Sequence, residues 1–192
     1  MTFGKSKTAV RLGGLLLVMV AMTASAAERP WNVRTLLKTL ARGVNGKVRF
    51  IEINHLASLR RPVRSHGTLQ YIKPATLIMT QSAPRKAVYR IVGNRLFVNG
   101  AQRGIPVTRY PGVVAIVSGF EGLLSGNYAL LAHDFTTHLG GDRKAWHLLL
   151  RPRLASLKRA LSSVAISGRG PALVEIETRA PNGDTSDMRI LR

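Results

Sequence analysis

GTLQYIKPATLIMTQSAP, residues 67–84, is the stretch that decides the fold of this chain. Two short apolar runs, 67–73 and 76–80, lie on either side of Pro74. In the second run Leu77 and Met79 point to one face of a strand and Ile78 to the other. Pro74 is tolerated in a turn but not inside a helix. The stretch therefore predicts two strands joined by a turn, with apolar side chains on both faces.

The same pattern continues along most of the chain. Further short segments rich in Val, Ile, Leu, Tyr and Phe lie between turn residues, at 47–53, 86–92, 95–98, 129–138, 144–150, 161–167, 172–179 and 185–190. Gly93-Asn94 and Asn99-Gly100 are signals for two-residue hairpins, since Asn-Gly tolerates positive φ. The pattern predicts about eleven strands, with no repeat or linker dividing them.

Two segments have helical spacing instead. Their apolar residues recur at offsets 0, 3, 4, 7 and 11, and a proline, Pro30 or Pro111, opens each. The first stripe is Val33, Leu36, Leu37, Leu40 and Val44, and the second is Val113, Ile116, Val117, Phe120 and Leu124. Around the second stripe lie Gly119, Gly122 and Gly126, which would suit either a moving segment or close packing.

The fold class predicted is mainly β (α+β). An antiparallel sheet of about eleven strands must curl, and closing it wholly or partly hides its edges. In the strand FIEI, Phe50 points one way while Ile51 and Ile53 point the other. Helices could cover one face, and the other face would need a core, a cavity or a ligand.

The first 26 residues have the features of a signal peptide. Lys5, Lys7 and Arg11 precede the apolar run 12–22, and Ala-Ser-Ala at 24–26 suits a cleavage site. A retained anchor is the alternative, but the run is shorter than the roughly 20 residues that a spanning helix needs. We expect a cleaved, periplasmic protein whose residues 27–192 form one domain.

The composition indicates how the exported chain is stabilised and which surfaces it could contact. The chain has no cysteine, so we expect neither a lipid anchor nor a disulfide, and a packed core must suffice. Removing the three leader cations lowers the net charge from +20 to about +17. In the periplasm such a charge favours anionic lipid headgroups over nucleic acid, although it could serve solubility alone.

Enzymatic motifs are weak. No Gly-x-Ser-x-Gly elbow or Gly-rich phosphate loop occurs. His133 and His138 would face opposite sides of the predicted strand 129–138, so they would not share a metal. Glu175 and Glu177 resemble a carboxylate pair, but salt bridges with the many arginines are the simpler interpretation. We predict a protein that is not an enzyme and has no cofactor, metal or catalytic residue.

Several segments, in order, resemble the periplasmic lipoprotein carriers of the LolA family, and more closely their divergent LolA-related branch. They are VRFIEINHLASL, GTLQYIKPATLIMTQSAP, YRIVGNRLFVNG, GLLSGN and WHLLLRP. The resemblance implies an unclosed antiparallel β-barrel with a helical lid over an apolar cavity. In that family the cavity holds the acyl chains of a lipoprotein, received from an inner-membrane transporter and passed to an outer-membrane acceptor.

The resemblance implies a monomeric carrier that takes a lipoprotein, lipid, glycolipid or polyene cargo from the inner toward the outer membrane. A sensor of lipid or lipopolysaccharide, or an accessory protein of a lipid exporter, is the alternative. The lid would turn Val117, Phe120 and Leu124 toward the cargo. The cavity wall would comprise Phe50, Leu77, Met79, Tyr89, Ile91, Trp146 and Leu148, for which ordinary sheet core is the other interpretation.

Three departures from the family pattern matter. Lys73 stands where the family has the arginine that latches the lid, which keeps the charge but loses the bidentate fork. Leu77 and Met79 replace aromatic residues and would make a more pliable wall. The chain ends at Arg192, directly after its last predicted strand, so we expect no C-terminal extension and an altered hand-off of lipoproteins.

The densest basic stretch is RPRLASLKR, residues 151–159. It carries Arg151, Arg153, Lys158 and Arg159 between two predicted strands. As a rim it could contact anionic headgroups or an acidic surface on a transporter. A plain solvated loop is the alternative.

Overall fold

A computed structural model describes residues 31–43 and 46–191 of the chain. The predicted signal peptide, 1–26, lies outside the described residues, as do Pro30 and Val44. Within the described ranges the chain forms eleven β-strands, four α-helices and one short 3-10 helix. None of those helices is long and apolar enough to cross a membrane.

The strands form two sets, with α1 before the first set, α2 and α3 between the sets, and α4 within the second set. The helices are α1 (Val33–Gly43), α2 (Pro111–Ser125), α3 (Tyr128–Asp134) and α4 (Ala155–Lys158), with the 3-10 turn at Val107–Arg109. The first half contains β1 (Lys47–His55), β2 (Val63–Ile72), β3 (Thr76–Ala83), β4 (Ala87–Val92), β5 (Arg95–Val98) and β6 (Ile105–Pro106). The second contains β7 (Phe135–Gly141), β8 (Trp146–Pro152), β9 (Ser163–Arg169), β10 (Ala172–Arg179) and β11 (Thr185–Leu191).

All eleven strands belong to one antiparallel sheet. Its order is β6-β5-β4-β3-β2-β1-β11-β10-β9-β8-β7, so the last strand pairs with the first. β6 and β7 are the two ends of this order, and the sheet is not closed between them. The prediction of a mainly β, unclosed antiparallel barrel with helices is confirmed.

The first predicted helix is confirmed as α1. Asn32 begins it, because its side-chain oxygen accepts the backbone N–H of Thr35 at 3.0 Å. Leu36, Leu37 and Leu40 are completely buried. Burying each leucine contributes roughly 2 kcal/mol, which holds this helix against the rest of the core.

The prediction of a strand at 129–138 was wrong in its first half. Residues 128–134 form α3, and β7 starts only at Phe135. α3 begins where the side-chain oxygen of Asn127 accepts the N–H of Leu130 at 3.1 Å. Just before it, Gly126 ends α2 with φ of 76°, a conformation that costs glycine little. The two helices therefore form a tight corner.

The two hairpin signals have different outcomes. Gly93-Asn94 is a two-residue connection, since Val92 pairs with Arg95 across it. Asn99 and Gly100 both take positive φ, of 49° and 78°, as a type I′ turn requires. The next strand, however, pairs with β5 only at residues 105–106, so Asn99-Gly100 does not close a tight hairpin as predicted.

The main core lies between the helices and the inner faces of β8–β10. Leu148 and Leu150 of β8 face Ile166 and Val164 of β9 in the register, and all four are buried. Trp146 packs over Gly168, where an added Cβ would come within 2.1 Å of the indole ring. The indole N–H also donates to the Gly170 carbonyl at 2.9 Å. Around Trp146 and Leu148 this half of the sheet is solidly packed.

Candidate functional site

An apolar cavity of about 490 Å³ lies inside the curved sheet, under α2. Strands from both halves and α2 together form its wall. The apolar part of the wall is Leu69, Leu77, Met79, Tyr89, Ile91, Leu96, Gly119, Phe120, Leu150, Val164, Ile166, Ile176 and Met188. Its size falls within the roughly 300–1,000 Å³ typical of small-molecule sites.

A second cavity of about 220 Å³ lies toward the C-terminal end of α1. Leu69, Leu77 and Phe120 belong to the walls of both cavities. Phe120 is the member that comes from α2, whereas the two leucines come from the sheet. The ring of Phe120 thus lies where the two volumes meet.

The structure brings together six of the ten residues predicted to bind cargo. Leu77, Met79, Tyr89, Ile91 and Phe120 line the larger cavity, and Leu124 lines the smaller one. On β3 and β4 the lining residues are register partners, Leu77 with Ile91 and Met79 with Tyr89. Their common face is the inner face of the sheet.

The other four predicted residues lie elsewhere. Trp146 and Leu148 are buried in the solid core, at 2% and 0% exposure, and line neither cavity. Phe50 is on the inner face of β1 between two lining residues, Val48 and Glu52, but packing covers it to 1% exposure. Val117 is half-buried and is absent from both walls. The side chains of Val113 and Ile116 lie outside the described residues.

The glycines of α2 allow close packing. A Cβ on Gly122 would approach backbone atoms of Leu131 to 3.0 Å, so only glycine lets α2 and α3 come this close. At Gly119 the nearest atom would be 3.6 Å away, on Phe135, which is ordinary contact. Of the two interpretations left open for these glycines, the geometry at Gly122 supports close packing.

Lys73 reaches a different helix from the expected one. It lies in the turn between β2 and β3 and its ammonium donates a 2.7 Å hydrogen bond to the carbonyl oxygen of Ala41. Ala41 belongs to the last turn of α1, where the helix dipole favours a cation. An added Cβ on Gly126 would lie 3.1 Å from Ala41, so α1 in turn contacts the end of α2. Lys73 therefore ties the sheet to α1 and only indirectly to the lid.

Tyr71 links the same turn to α2 electrostatically. Its hydroxyl donates to the carbonyl of Pro74, and its ring lines the smaller cavity. Burial raises the pKa of the Tyr71 hydroxyl, and the negative charge of Glu121 on α2 raises that pKa further. Glu121, the one charge of the apolar segment 111–124, thus faces a tyrosine that remains neutral.

One end of the larger cavity is polar, which the sequence did not indicate. Its lining includes Glu52, Asn54, Gln81, Thr178 and Ser186. The carboxylate of Glu52 accepts hydrogen bonds from Ser65, at 2.8 Å, and from Ser186, at 2.6 Å. The alternation of side chains along β1 could have indicated Glu52, since it lies two residues from Phe50 and therefore points to the same face of the strand.

Further apolar lining residues were also missed. Leu69, Leu96, Ile176 and Met188 line the larger cavity, although none was singled out from the sequence. Met188 pairs with both Glu52 of β1 and Ile176 of β10, so it belongs to the same inner face. Their signal was the same alternation, but which apolar face turns inward depends on the pairing of distant strands.

The basic stretch 151–159 forms part of a larger basic rim. Arg151, Arg153, Lys158 and Arg159 are all exposed. The β1–β2 and β3–β4 connections lie at the same end of the sheet and add exposed basic residues, Arg60, Arg61, Arg85 and Lys86. Leu59 in the β1–β2 connection and Leu154 in the stretch 151–159 are 50% and 39% exposed. We call this set of ten residues the basic rim.

The other titratable groups form simple surface pairs. Glu175 accepts from Arg189 at 3.2 Å, and Glu177 lies 3.6 Å from Arg179, as salt bridging of both glutamates predicted. His133 lies on α3 and contacts Asp134 at 2.6 Å. Among residues 31–43 and 46–191, no three His, Asp or Glu side chains are grouped so as to hold a metal ion.

The chain forms an unclosed antiparallel barrel with an apolar cavity beneath a helix. This is the half-barrel architecture that the sequence resemblance implied. Residues 24–191 match the family described as "Outer membrane lipoprotein carrier protein LolA-like". The chain belongs to this family. No curated protein matches it in sequence.

The solved structures that match this chain are distant from it in sequence. They include a LolA superfamily protein from Nitrosomonas europaea, with 9% identity over 85% of this chain and 93% of that one, and a TM-score of 0.43. A putative outer membrane lipoprotein-sorting protein domain from Vibrio parahaemolyticus has 8% identity, over 84% and 92%, with a TM-score of 0.42. The lipoprotein LppX from Mycobacterium tuberculosis has 11% identity, over 83% and 93%, with a TM-score of 0.39.

Proposed function

We propose that this protein is a periplasmic carrier that buries the acyl chains of a lipid or lipoprotein in the larger cavity and moves them from the inner toward the outer membrane. The observation that carries the proposal is the cavity of about 490 Å³ with a predominantly apolar wall. Membership of the LolA-like family supports it.

Burial in such a cavity supplies enough free energy for a soluble carrier. Each methylene removed from water contributes about 0.8 kcal/mol, so ten buried methylenes gain roughly 8 kcal/mol. Association and ordering of the chain oppose this by several kcal/mol. The resulting affinity is intermediate, which suits a protein that must also release its load. The flexible side chains of Met79 and Met188 adapt to chains of different shape.

α2 serves as the lid in this proposal. Phe120 projects from it between the two cavities, and Gly119 forms part of the larger cavity's wall. A cargo chain long enough to extend from one cavity into the other must displace the ring of Phe120. The lid then exchanges its own apolar contacts for contacts with the cargo.

The basic rim directs one end of the barrel toward an anionic membrane surface. A Lys or Arg near an anionic leaflet contributes about 1 kcal/mol of attraction. Leu59 and Leu154 are exposed apolar residues beside arginines, a combination that favours shallow insertion between headgroups. Cargo would enter and leave at this end, with a membrane transporter as donor and an outer-membrane acceptor.

Lipid analysis of the native protein tests the proposal. The mature protein is purified from its own periplasm, extracted with organic solvent and analysed by mass spectrometry. We expect an acylated molecule in stoichiometric amount. Met79→Asp or Phe120→Asp places a charge in the cavity wall and should abolish its recovery.

Val88→Asp is the matched control. Val88 is 39% exposed on β4, and its neighbour Tyr89 is the residue that faces the cavity. This variant should retain the lipid. An empty wild-type protein that binds only lipopolysaccharide added later would instead favour a sensor, and turnover of an ester substrate would overturn both functions.

A further inference from the structure

The polar groups of the larger cavity are gathered at one end of it. Glu52 and Asn54 lie near the end of β1, Ser186 near the start of β11 and Gln81 near the end of β3. In this antiparallel sheet those positions belong to the same end of the barrel. The apolar residues Leu77 of β3, Ile91 of β4 and Leu96 of β5 are neighbours in the register and lie toward the opposite end of the barrel. An amphiphile bound with its chain among these apolar residues would place its head group among the polar residues.

Glu52 is held in a fixed orientation across three adjacent strands. Ser65 on β2 donates to one carboxylate oxygen at 2.8 Å, and Ser186 on β11 donates to the other at 2.6 Å. Ser65 is only 4% exposed, so its hydrogen bond to Glu52 is shielded from water. A carboxylate has about four acceptor positions, and the two hydroxyls occupy two of them. The remaining positions are preorganised to accept hydrogen bonds from a ligand.

The charge of Glu52 is opposite to that of the protein as a whole. Among the described residues that line either cavity, Glu52 is the charged one. No Lys, Arg or His of the described chain forms an ion pair with it within 4.0 Å. A phosphate or carboxylate beside it would meet a like charge. A hydroxyl, amide or ammonium group would instead form a charge-assisted hydrogen bond.

We infer that Glu52, oriented by Ser65 and Ser186, is the acceptor of a head-group subsite that selects acylated cargo whose head is neutral or cationic and donates hydrogen bonds, and that rejects anionic heads. This inference rests on the proposed function, because the acyl chain must occupy the apolar part of the same cavity. Gln81 borders the subsite and is itself positioned by its hydrogen bond to the Arg85 carbonyl, at 3.1 Å.

Two amphiphiles with chains of twelve carbons test the inference. The probes are monolauroylglycerol, whose head has two hydroxyls, and dodecyl phosphate, whose head is anionic. Their dissociation constants are measured by displacement of a fluorescent apolar dye from the mature protein. We expect the wild type to bind the glycerol ester at least about tenfold more tightly than the phosphate.

Glu52→Gln removes the charge while keeping the shape, and should reduce this preference by about tenfold. Ser186→Ala, which leaves the carboxylate less fixed, should reduce it by a smaller factor. Glu175→Gln is the control, because it removes the same charge from a glutamate that is bound to Arg189 and lines neither cavity. It should leave the preference unchanged.

The outcomes separate the inference from the proposed function. If both amphiphiles bind and Glu52→Gln leaves their ratio at the wild-type value, the head-group subsite is overturned while the carrier function stands. A wild type that binds the phosphate as tightly as the glycerol ester also overturns the subsite. If neither amphiphile nor the dye binds, the carrier function itself fails. Circular dichroism of each variant, together with the retained binding of the dye, shows whether the fold is intact.

Discussion

The ammonium of Lys73 lies 2.7 Å from the carbonyl oxygen of Ala41, joining the turn between β2 and β3 to the last turn of α1. The bond satisfies a carbonyl that has no partner within its own helix, and it places a cation at the negative end of the helix dipole. α1 then contacts the end of α2 near Gly126. Lys73, which lines neither cavity, thus joins the sheet to the helix that contacts the end of α2.

Lys73→Met should lower the free energy of unfolding by about 1 kcal/mol, because one exposed hydrogen bond from a charged donor is lost. Urea unfolding followed by circular dichroism measures the change. Lys86→Met, at an exposed position in the β3–β4 connection, is the control for the loss of one charge. Equal stability of the two variants would show that the bond to Ala41 does not hold α1.

Gly122→Ala should destabilise the protein by about 1–3 kcal/mol, since the added methyl group meets the backbone of Leu131 and forces α2 away from α3. Gly119→Ala is on the same helix but makes only ordinary contacts, so it should leave stability unchanged or raise it by up to about 1 kcal/mol through helix propensity. Thermal unfolding compares the two. The close-packing interpretation is wrong if both substitutions have the same effect.

Glu121→Gln should lower the pKa of Tyr71, because it removes the charge that adds to burial in raising that pKa. Ultraviolet titration of phenolate formation, with Tyr71→Phe used to assign the signal, measures the shift. The folded-state pKa of Tyr71 lies above its unfolded value. Its contribution to stability is therefore present below the unfolded pKa and is lost as the pH rises through the folded one.

The raised pKa of Tyr71 predicts that the free energy of unfolding falls at alkaline pH. Unfolding in urea at increasing alkaline pH should show the wild type losing stability more steeply than Tyr71→Phe. An identical pH dependence of the two proteins would contradict the burial of this hydroxyl against α2.

The mature protein should bind vesicles that contain phosphatidylglycerol and should be released by salt, as expected for a basic surface. The double variant Arg60→Glu/Arg61→Glu should weaken binding by roughly 10-fold or more, and Leu59→Ser should weaken the part that survives high salt. Lys47→Glu/Arg49→Glu is the control, with the same change of charge on exposed residues at the other end of β1. Vesicle sedimentation measures each. Equal loss for the two double variants would show that only net charge matters.

The alternation of apolar residues predicted most of the strands, but not what covers each of their faces. Phe50, Met79 and Trp146 were all placed on an inner face of the sheet. Of these three, Met79 lines a cavity, whereas Phe50 and Trp146 are buried at 1% and 2% exposure and line neither cavity. Coverage is a property of tertiary packing, and strand periodicity carries no information about it.

Local signals explain the other differences. Residues 129–134 were predicted as the first half of a strand, since their apolar run is too short for periodicity to separate strand from helix. Asn127 directly before it is a good N-cap and was the available signal. β6 has only two residues, so no sequence pattern could have indicated it. Glu52 was missed because a single acid in an exposed-looking strand is ordinarily solvated.

Phe120 belongs to the walls of both cavities. In a carrier of acyl chains this shared wall makes capacity stepwise rather than continuous. A chain that stops short of the ring uses only the first volume, and one methylene more must turn the ring aside and gain the second volume at once. The affinity for acyl chains, plotted against their length, should therefore show a plateau and then a jump. The ring of Phe120 would set the length at which the jump occurs.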